Sequence, residues 1–228
     1  APAPAMVKPI CAASVVIGLL LAGLFLGTIA MSQPQWGERQ ETVFHRGRDI
    51  VIALDVSRSM LANDVYPNRL TRAKTDLIDL IAELRGDRAA LVAFRKDAQL
   101  ICPLSTDYAF LRHALEGCGV HSAAAGETDI GGAIHKAMDS FDNETAAHKA
   151  IVLISDGEDL EGKAIAAAEK AAERGISIFT VGLGSGMGSR IPVTDDKKTF
   201  VTHKGESVVT RLQNETLDKI ATITGGAY

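Results

Sequence analysis

The chain has 228 residues, 46% of them hydrophobic and 23% charged, with a formal net charge of −4. That composition belongs to a globular chain rather than a disordered one, and the length suits one sizeable domain with an appendage. There is no block of Lys and Arg, so a nucleic-acid partner is not expected.

After a short tail, residues 1–9, comes the apolar run 10–31, "ICAASVVIGLLLAGLFLGTIAM", and no charged residue occurs from Pro9 to Gly37. About 22 residues at about 1.5 Å each match a hydrocarbon core of roughly 30 Å, which predicts a single membrane-spanning helix. A cleaved signal peptide is the alternative, with Lys8 in front and Thr28–Ala30 as a poor cleavage site. The run is long for a signal-peptide apolar region of about 7–15 residues. Gly23 and Gly27 form a GxxxG spacing that lets two such helices approach. Residues 32–48, "SQPQWGERQETVFHRGR", read as a polar juxtamembrane connector with Trp36 at the lipid interface.

From Asp49 the pattern alternates between strand and helix. Ile50–Leu54 is a short continuous apolar run, the signature of a strand covered on both faces. Residues 68–85 carry Leu70, Ala73, Leu77, Leu80, Ile81 and Leu84 at helical spacing, closed by Gly86. Ala89–Phe94 and Gln99–Leu104 read as a hairpin, followed by short helices over Tyr108–Leu115 and Asp129–Phe141. Ala150–Ile154 is a second buried strand, Lys163–Arg174 an Ala-rich helix and Ile176–Val181 a further strand. A hairpin around Lys204-Gly205 and a helix over Glu215–Thr224 complete the chain, which stops soon after that helix and so reads as a possible fragment. The expected fold of residues 49–228 is a doubly wound α/β domain, its mainly parallel sheet covered by helices on both faces. In such sheets ligands bind at the C-terminal edge of the strands.

Three segments reach that edge with oxygen-bearing side chains. "DVSRS" places Asp55, Ser57 and Ser59 after the first buried strand. In an extended segment, residues two apart point the same way, so one carboxylate and two hydroxyls aim at one point. "AGETDIGGAI" places Thr128 at a helix entrance, and "SDG" places Asp156 after the second buried strand. Oxygen-only donors suit a hard cation such as Mg²⁺. Each segment also has a structural reading: a turn or N-cap for the serines, an N-cap for Thr128, a turn for Asp156. The acids Glu127, Asp129, Glu158 and Asp159 read as solvated or supporting groups rather than ligands.

Taken together, D-x-S-x-S, the Thr of T-D-I-G-x-A-I and S-D-G resemble the metal-ion-dependent adhesion site of von Willebrand factor type A domains. The resemblance implies direct metal contact from Ser57, Ser59 and Thr128, and contact through water from Asp55 and Asp156. It implies Mg²⁺, with Mn²⁺ or Ca²⁺ as alternatives, and a partner protein that supplies an Asp or Glu to the metal. The stretch from "SQPQWGERQ" through "LDVSRSMLANDVYPNRLTRAK", with "GDRAALVAF" and "ICPLSTDY", is similar to the bacterial Bat (aerotolerance-type) membrane proteins. That likeness implies a bacterial inner-membrane protein with a periplasmic domain. It also implies a complex with other Bat-type proteins and a MoxR-type AAA+ ATPase, with roles in envelope stress or assembly. Arg39, Arg46 and Arg48 after the apolar run, against Lys8 before it, point instead to a cytoplasmic domain by charge alone.

Other chemistries fit less well. The six histidines show no zinc spacing. The glycines of "GLGSGMGSR" miss the dinucleotide register, so a flexible loop is expected there. A Mg²⁺-dependent phosphatase or phosphoryl transferase is the alternative to a binding module. The second aspartate its dehalogenase-type version needs is replaced by Ser57, and an enzyme is not expected. Cys11 falls in the apolar run, while Cys102 and Cys118 read as two free, half-buried thiols or, in an oxidising compartment, a disulfide.

Overall fold

A computed structural model of the chain describes residues 9–31, 47–142, 148–160, 162–193, 199–203 and 205–228. Two compact units emerge, 1–44 and 45–228.

In the first unit, helix α1 covers Pro9–Met31, close to the expected 10–31. Its side chains are described over 15–31, and all of them are exposed. Among the described residues no helix is long and apolar enough to cross a membrane. The expected element is thus present as a helix. Trp36 and most of the 32–48 connector lie outside the described residues.

The second unit is built on a five-stranded sheet of order β3-β2-β1-β4-β5. Its strands are β1 (Asp49–Asp55), β2 (Arg88–Phe94), β3 (Ala98–Ser105), β4 (Lys149–Ser155) and β5 (Ser177–Gly182). β1 is central and runs parallel to β2 and β4, β5 is parallel to β4, and only β3 is antiparallel. β1 is buried at all seven positions. Such a strand must be apolar on both faces, which is why Ile50–Leu54 carries no alternation.

Alternate residues of β1 feed two cores. Ile50, Ile52 and Leu54 pack with α2 (Arg69–Glu83) and α3 (Tyr108–Gly117). Val51 and Ala53 pack with α4 (Ile130–Asp139), α5 (Ala164–Glu173) and α6 (Asn214–Thr224). Helices therefore cover both faces, as expected. α2 buries Leu70, Ala73, Leu77 and Ile81, one stripe at helical spacing. Truncating the fully buried Leu77 to Ala would cost about 2–5 kcal/mol.

Cap chemistry fixes the helix starts. Asn68 caps α2 through the Thr71 N–H (2.7 Å), and Asp107 caps α3 through Phe110 N–H (3.0 Å). α4 is capped by Asp129, which accepts from Gly132 N–H at 2.7 Å, so the cap lies one residue after the expected Thr128. Short strands β6 (Ser189–Arg190) and β9 (Val209–Thr210) pair beside the sheet. β7 (Thr202–His203) and β8 (Glu206–Ser207) form the hairpin expected around Gly205. Cys102 and Cys118 are free thiols, and both are buried rather than half-buried.

Candidate metal centre

β1 and β4 are neighbours, and their C-terminal ends carry Asp55 and Ser155-Asp156 side by side. Asp55 closes β1 itself instead of lying beyond it. Its Oδ1 accepts the Ser57 N–H at 2.8 Å and its Oδ2 accepts the Ser155 hydroxyl at 2.7 Å. The chain then leaves the extended form. Ser57 is the last extended residue, and Arg58–Leu61 wind into a single 3₁₀ turn. Ser57 Oγ and Ser59 Oγ nevertheless meet at 2.8 Å. The hydroxyls thus converge through a tight turn, not through the strand alternation expected from the spacing.

Thr128 is brought in by its backbone. Its carbonyl accepts Leu160 N–H (3.3 Å), and the next residue, Asp129, donates its N–H to the Arg95 carbonyl (2.8 Å). Arg95 follows β2 and Leu160 follows β4, the two strands that flank β1. The Thr128 loop therefore lies across the end of β1. Asp55 and Asp156 are 0% exposed, with Ser57 at 4%, Ser59 at 6% and Thr128 at 4%. All five expected residues lie buried at one sheet edge.

A sixth residue, which the sequence reading passed over, completes the floor. Arg69, in the first turn of α2, is 0% exposed. Its Nε and Nη2 clasp both oxygens of Asp64 at 2.8 and 2.7 Å. Its Nη1 donates to Asp156 Oδ2 at 2.9 Å, an oxygen that also takes the Thr210 hydroxyl at 3.2 Å. The segment after the 3₁₀ turn, α2, the end of β4 and β9 meet in this network. A guanidinium suits it because its planar fork serves several acceptors at once. Gly184 lies against the guanidinium, and a Cβ there would stand 2.8 Å from Cζ. The glycine-rich loop is accordingly tied down, with Ser185 N–H donating to Asp64 at 2.7 Å, and is not the free loop expected. Gly157 of the S-D-G motif has φ +83 and meets the Gln213 carbonyl where a Cβ would stand, so only glycine fits.

The two acids differ in what balances them. Burial, then the charge of Asp156, raises the Asp55 pKa to about 7, although its hydrogen bonds pull the other way. Glu158 is pushed up too, by burial first and by Asp156 second. Arg69 serves two carboxylates, Asp64 and the buried Asp156, while the buried Asp55 has only neutral hydrogen-bond donors among the described residues. Buried charge of this kind calls for a counter-ion. Among the described residues no group of three or more His, Cys, Asp or Glu could hold a metal ion. A cation here would rest on hydroxyls as much as on carboxylates. The donor set, all oxygen, fits a hard divalent ion.

Comparison with known proteins agrees with this fold. Residues 50–158 match the family model of the von Willebrand factor type A domain. The solved structure of BatB from Bacteroides thetaiotaomicron is 37% identical, with a TM-score of 0.77, over 80% of this chain and 89% of that one. An aerotolerance-related membrane protein from Bacteroides fragilis is 36% identical, with a TM-score of 0.77, over 80% and 90%. A UPF0353 protein of Mycobacterium leprae is 29% identical over 91% of this chain, which spans 62% of that relative's length. The chain belongs to the von Willebrand factor type A domain proteins, in the group of the Bat aerotolerance-related proteins.

Proposed function

We propose that the chain is a membrane-tethered adaptor whose von Willebrand factor A domain captures an acidic side chain of a partner protein through a divalent cation. The observation that carries this reading is that Asp55, Ser57, Ser59 and Asp156 lie buried at the ends of β1 and β4, with the buried Thr128 in a loop bonded to the segments after β2 and β4. Ser57, Ser59 and Thr128 would hold the ion directly. Asp55 and Asp156, whose oxygens already accept bonds from Ser57, Ser155, Arg69 and Thr210, would reach it through water. A Mg²⁺ ion bound there, or Mn²⁺ or Ca²⁺, would supply an exchangeable coordination position for an outside carboxylate. The protein's task is to bind and orient, and no bond need be broken.

The tether is helix α1. Its side chains over 15–31 are exposed and apolar on every side, with Leu19, Leu20, Leu24 and Phe25 each more than 60% exposed. A helix apolar all round belongs in lipid or in a protein core. Together with the Bat likeness this favours the bacterial inner membrane, a periplasmic domain, and a complex with Bat-type proteins and a MoxR-type ATPase.

The test is capture from a membrane extract by the full chain in detergent, with Mg²⁺ or EDTA, comparing wild type with Asp55→Ala. Capture of a discrete partner that needs the metal and fails in Asp55→Ala is expected. Equal capture in EDTA would remove the metal bridge. Cleavage of a generic phosphoester by the metal-loaded protein would favour a phosphoryl-transfer enzyme instead.

A further inference from the structure

This inference rests on the reading of the site as an acid-capturing metal centre and concerns the surface beside it. A cleft of about 300 Å³ opens there, lined by Arg58, Arg95 and His121 and by apolar residues that include Leu61, Pro192 and Val201. Arg58 stands between the two site serines, is exposed, and has no hydrogen bond or ion pair among the described residues. Arg95 follows β2, and its carbonyl holds the Thr128 loop through Asp129 N–H. Its Nε is buried and has no hydrogen-bond partner among the described residues. A guanidinium N–H left unpaired out of water is costly, so the arrangement suits a group that arrives with the ligand. Burial, then the nearby charge of Arg58, lowers the Arg95 pKa. Asp55 acts on Arg95 in the opposite sense, and no acid lines the cleft that the two cations share. With a divalent ion held by the residues below, the two arginines set the sign at the mouth.

We propose that Arg58 and Arg95 form a carboxylate subsite beside the metal position. It reads a second acidic side chain on the same partner segment, so the recognised segment carries two acids around a short apolar residue. One acid serves the metal and the other the arginine pair. The apolar residue lies against Leu61, Pro192 and Val201. Two guanidinium forks match the planar, bidentate geometry of a carboxylate. Charge complementarity at such a rim also speeds encounter and rejects partners with basic segments.

The test uses the full chain in detergent with capped, fluorescent peptides. One set carries two glutamates around a leucine at different spacings, and the matched set has glutamine in place of the second glutamate. Binding is read by anisotropy in Mn²⁺ and in EDTA. With wild type, the best two-acid peptide is expected to bind about tenfold or more tighter than its one-acid match, as for a gained charge-assisted bond. In Arg58→Gln/Arg95→Gln this advantage should fall below about threefold, while metal-dependent binding of the one-acid peptide persists. Arg58→Gln alone, at an exposed side chain that cannot unfold the protein, should lose part of the advantage. Mn²⁺ affinity, followed by paramagnetic resonance, should be retained or raised in both variants. No advantage in wild type, or an advantage that survives the double change, overturns the subsite while leaving the metal reading standing. One-acid binding that is indifferent to EDTA overturns the metal reading itself, and the subsite with it.

Discussion

The ends of β1 and β4 carry the same residue type, an aspartate sealed from solvent, and neutralise it in opposite ways. Asp156 meets a guanidinium at 2.9 Å. Asp55 meets only neutral donors, the Ser57 N–H and the Ser155 hydroxyl. One strand end is electrically finished by the polypeptide, and the other has no cation in hydrogen-bond contact among the described residues. Under the proposed function, Arg69 is therefore the part of the site that folding requires, and Asp55 the part that binding requires.

The largest effect should come from breaking the finished end. Arg69→Ala leaves the buried Asp156 and the part-buried Asp64 without their cation, which should destabilise the domain by about 3–5 kcal/mol. The loss is read by thermal or denaturant unfolding of the protein in EDTA. Arg69→Lys should recover only part of it, because an ammonium cannot clasp Asp64 with two parallel bonds while holding Asp156. A loss within the range of ordinary surface substitutions would mean that the fold does not depend on the Arg69 network.

At the unfinished end the sign reverses. Asp55 titrates near 3.8 when unfolded and near 7 in the metal-free fold. The folded state then holds the Asp55 proton more tightly than the unfolded state does. This group's contribution to stability is fully present below about pH 4 and declines as pH rises toward about 7. Asp55→Asn keeps an oxygen for Ser57 N–H and removes the charge. In EDTA at pH 8 the variant should therefore be more stable than wild type, by a few kcal/mol at most. It should also lose the stabilisation that Mg²⁺ gives the wild type. Because ligands must be deprotonated, wild-type metal affinity should rise with pH through about 7. Paired unfolding curves with Mg²⁺ and EDTA at pH 5 and pH 8 check both statements. A less stable Asp55→Asn in EDTA would show that Asp55 is held by the fold alone.

Much of this was legible in the sequence, and the gaps have a physical pattern. Ile50–Leu54 and Ala150–Ile154 announce central strands because burial on both faces admits no polar residue. The five oxygen-bearing residues announce themselves because each follows such a strand or opens a helix. Arg69 does not. In "PNRLTRAK" it reads as a charged residue in the first turn of an amphipathic helix, and charged residues are rarely fully buried. Its burial comes from Asp156, 87 positions away, and Thr210, 141 away. Asp64, five residues earlier, was the one local signal. The 3₁₀ turn after Ser57 was illegible for a different reason, since its spacing of two also fits an extended segment. Tertiary bonds, Val56 N–H to the Phe94 carbonyl among them, accompany that turn and leave no trace in local spacing.

The smallest effect separates capping from ligation on adjacent residues of the loop that bridges the two strand ends. Asp129 caps α4, so Asp129→Ala should cost about 1 kcal/mol of stability and leave Mn²⁺ affinity in place. Thr128 carries no cap, and its burial has no role in starting the helix. Thr128→Val keeps the branched shape and removes only the hydroxyl. It should lower Mn²⁺ affinity while leaving the metal-free unfolding temperature close to wild type. The two variants thus move opposite readouts if the loop is both scaffold and ligand. Unchanged Mn²⁺ affinity in Thr128→Val would reduce the centre to the ends of β1 and β4. The serines and aspartates would then have to hold any ion without the third segment.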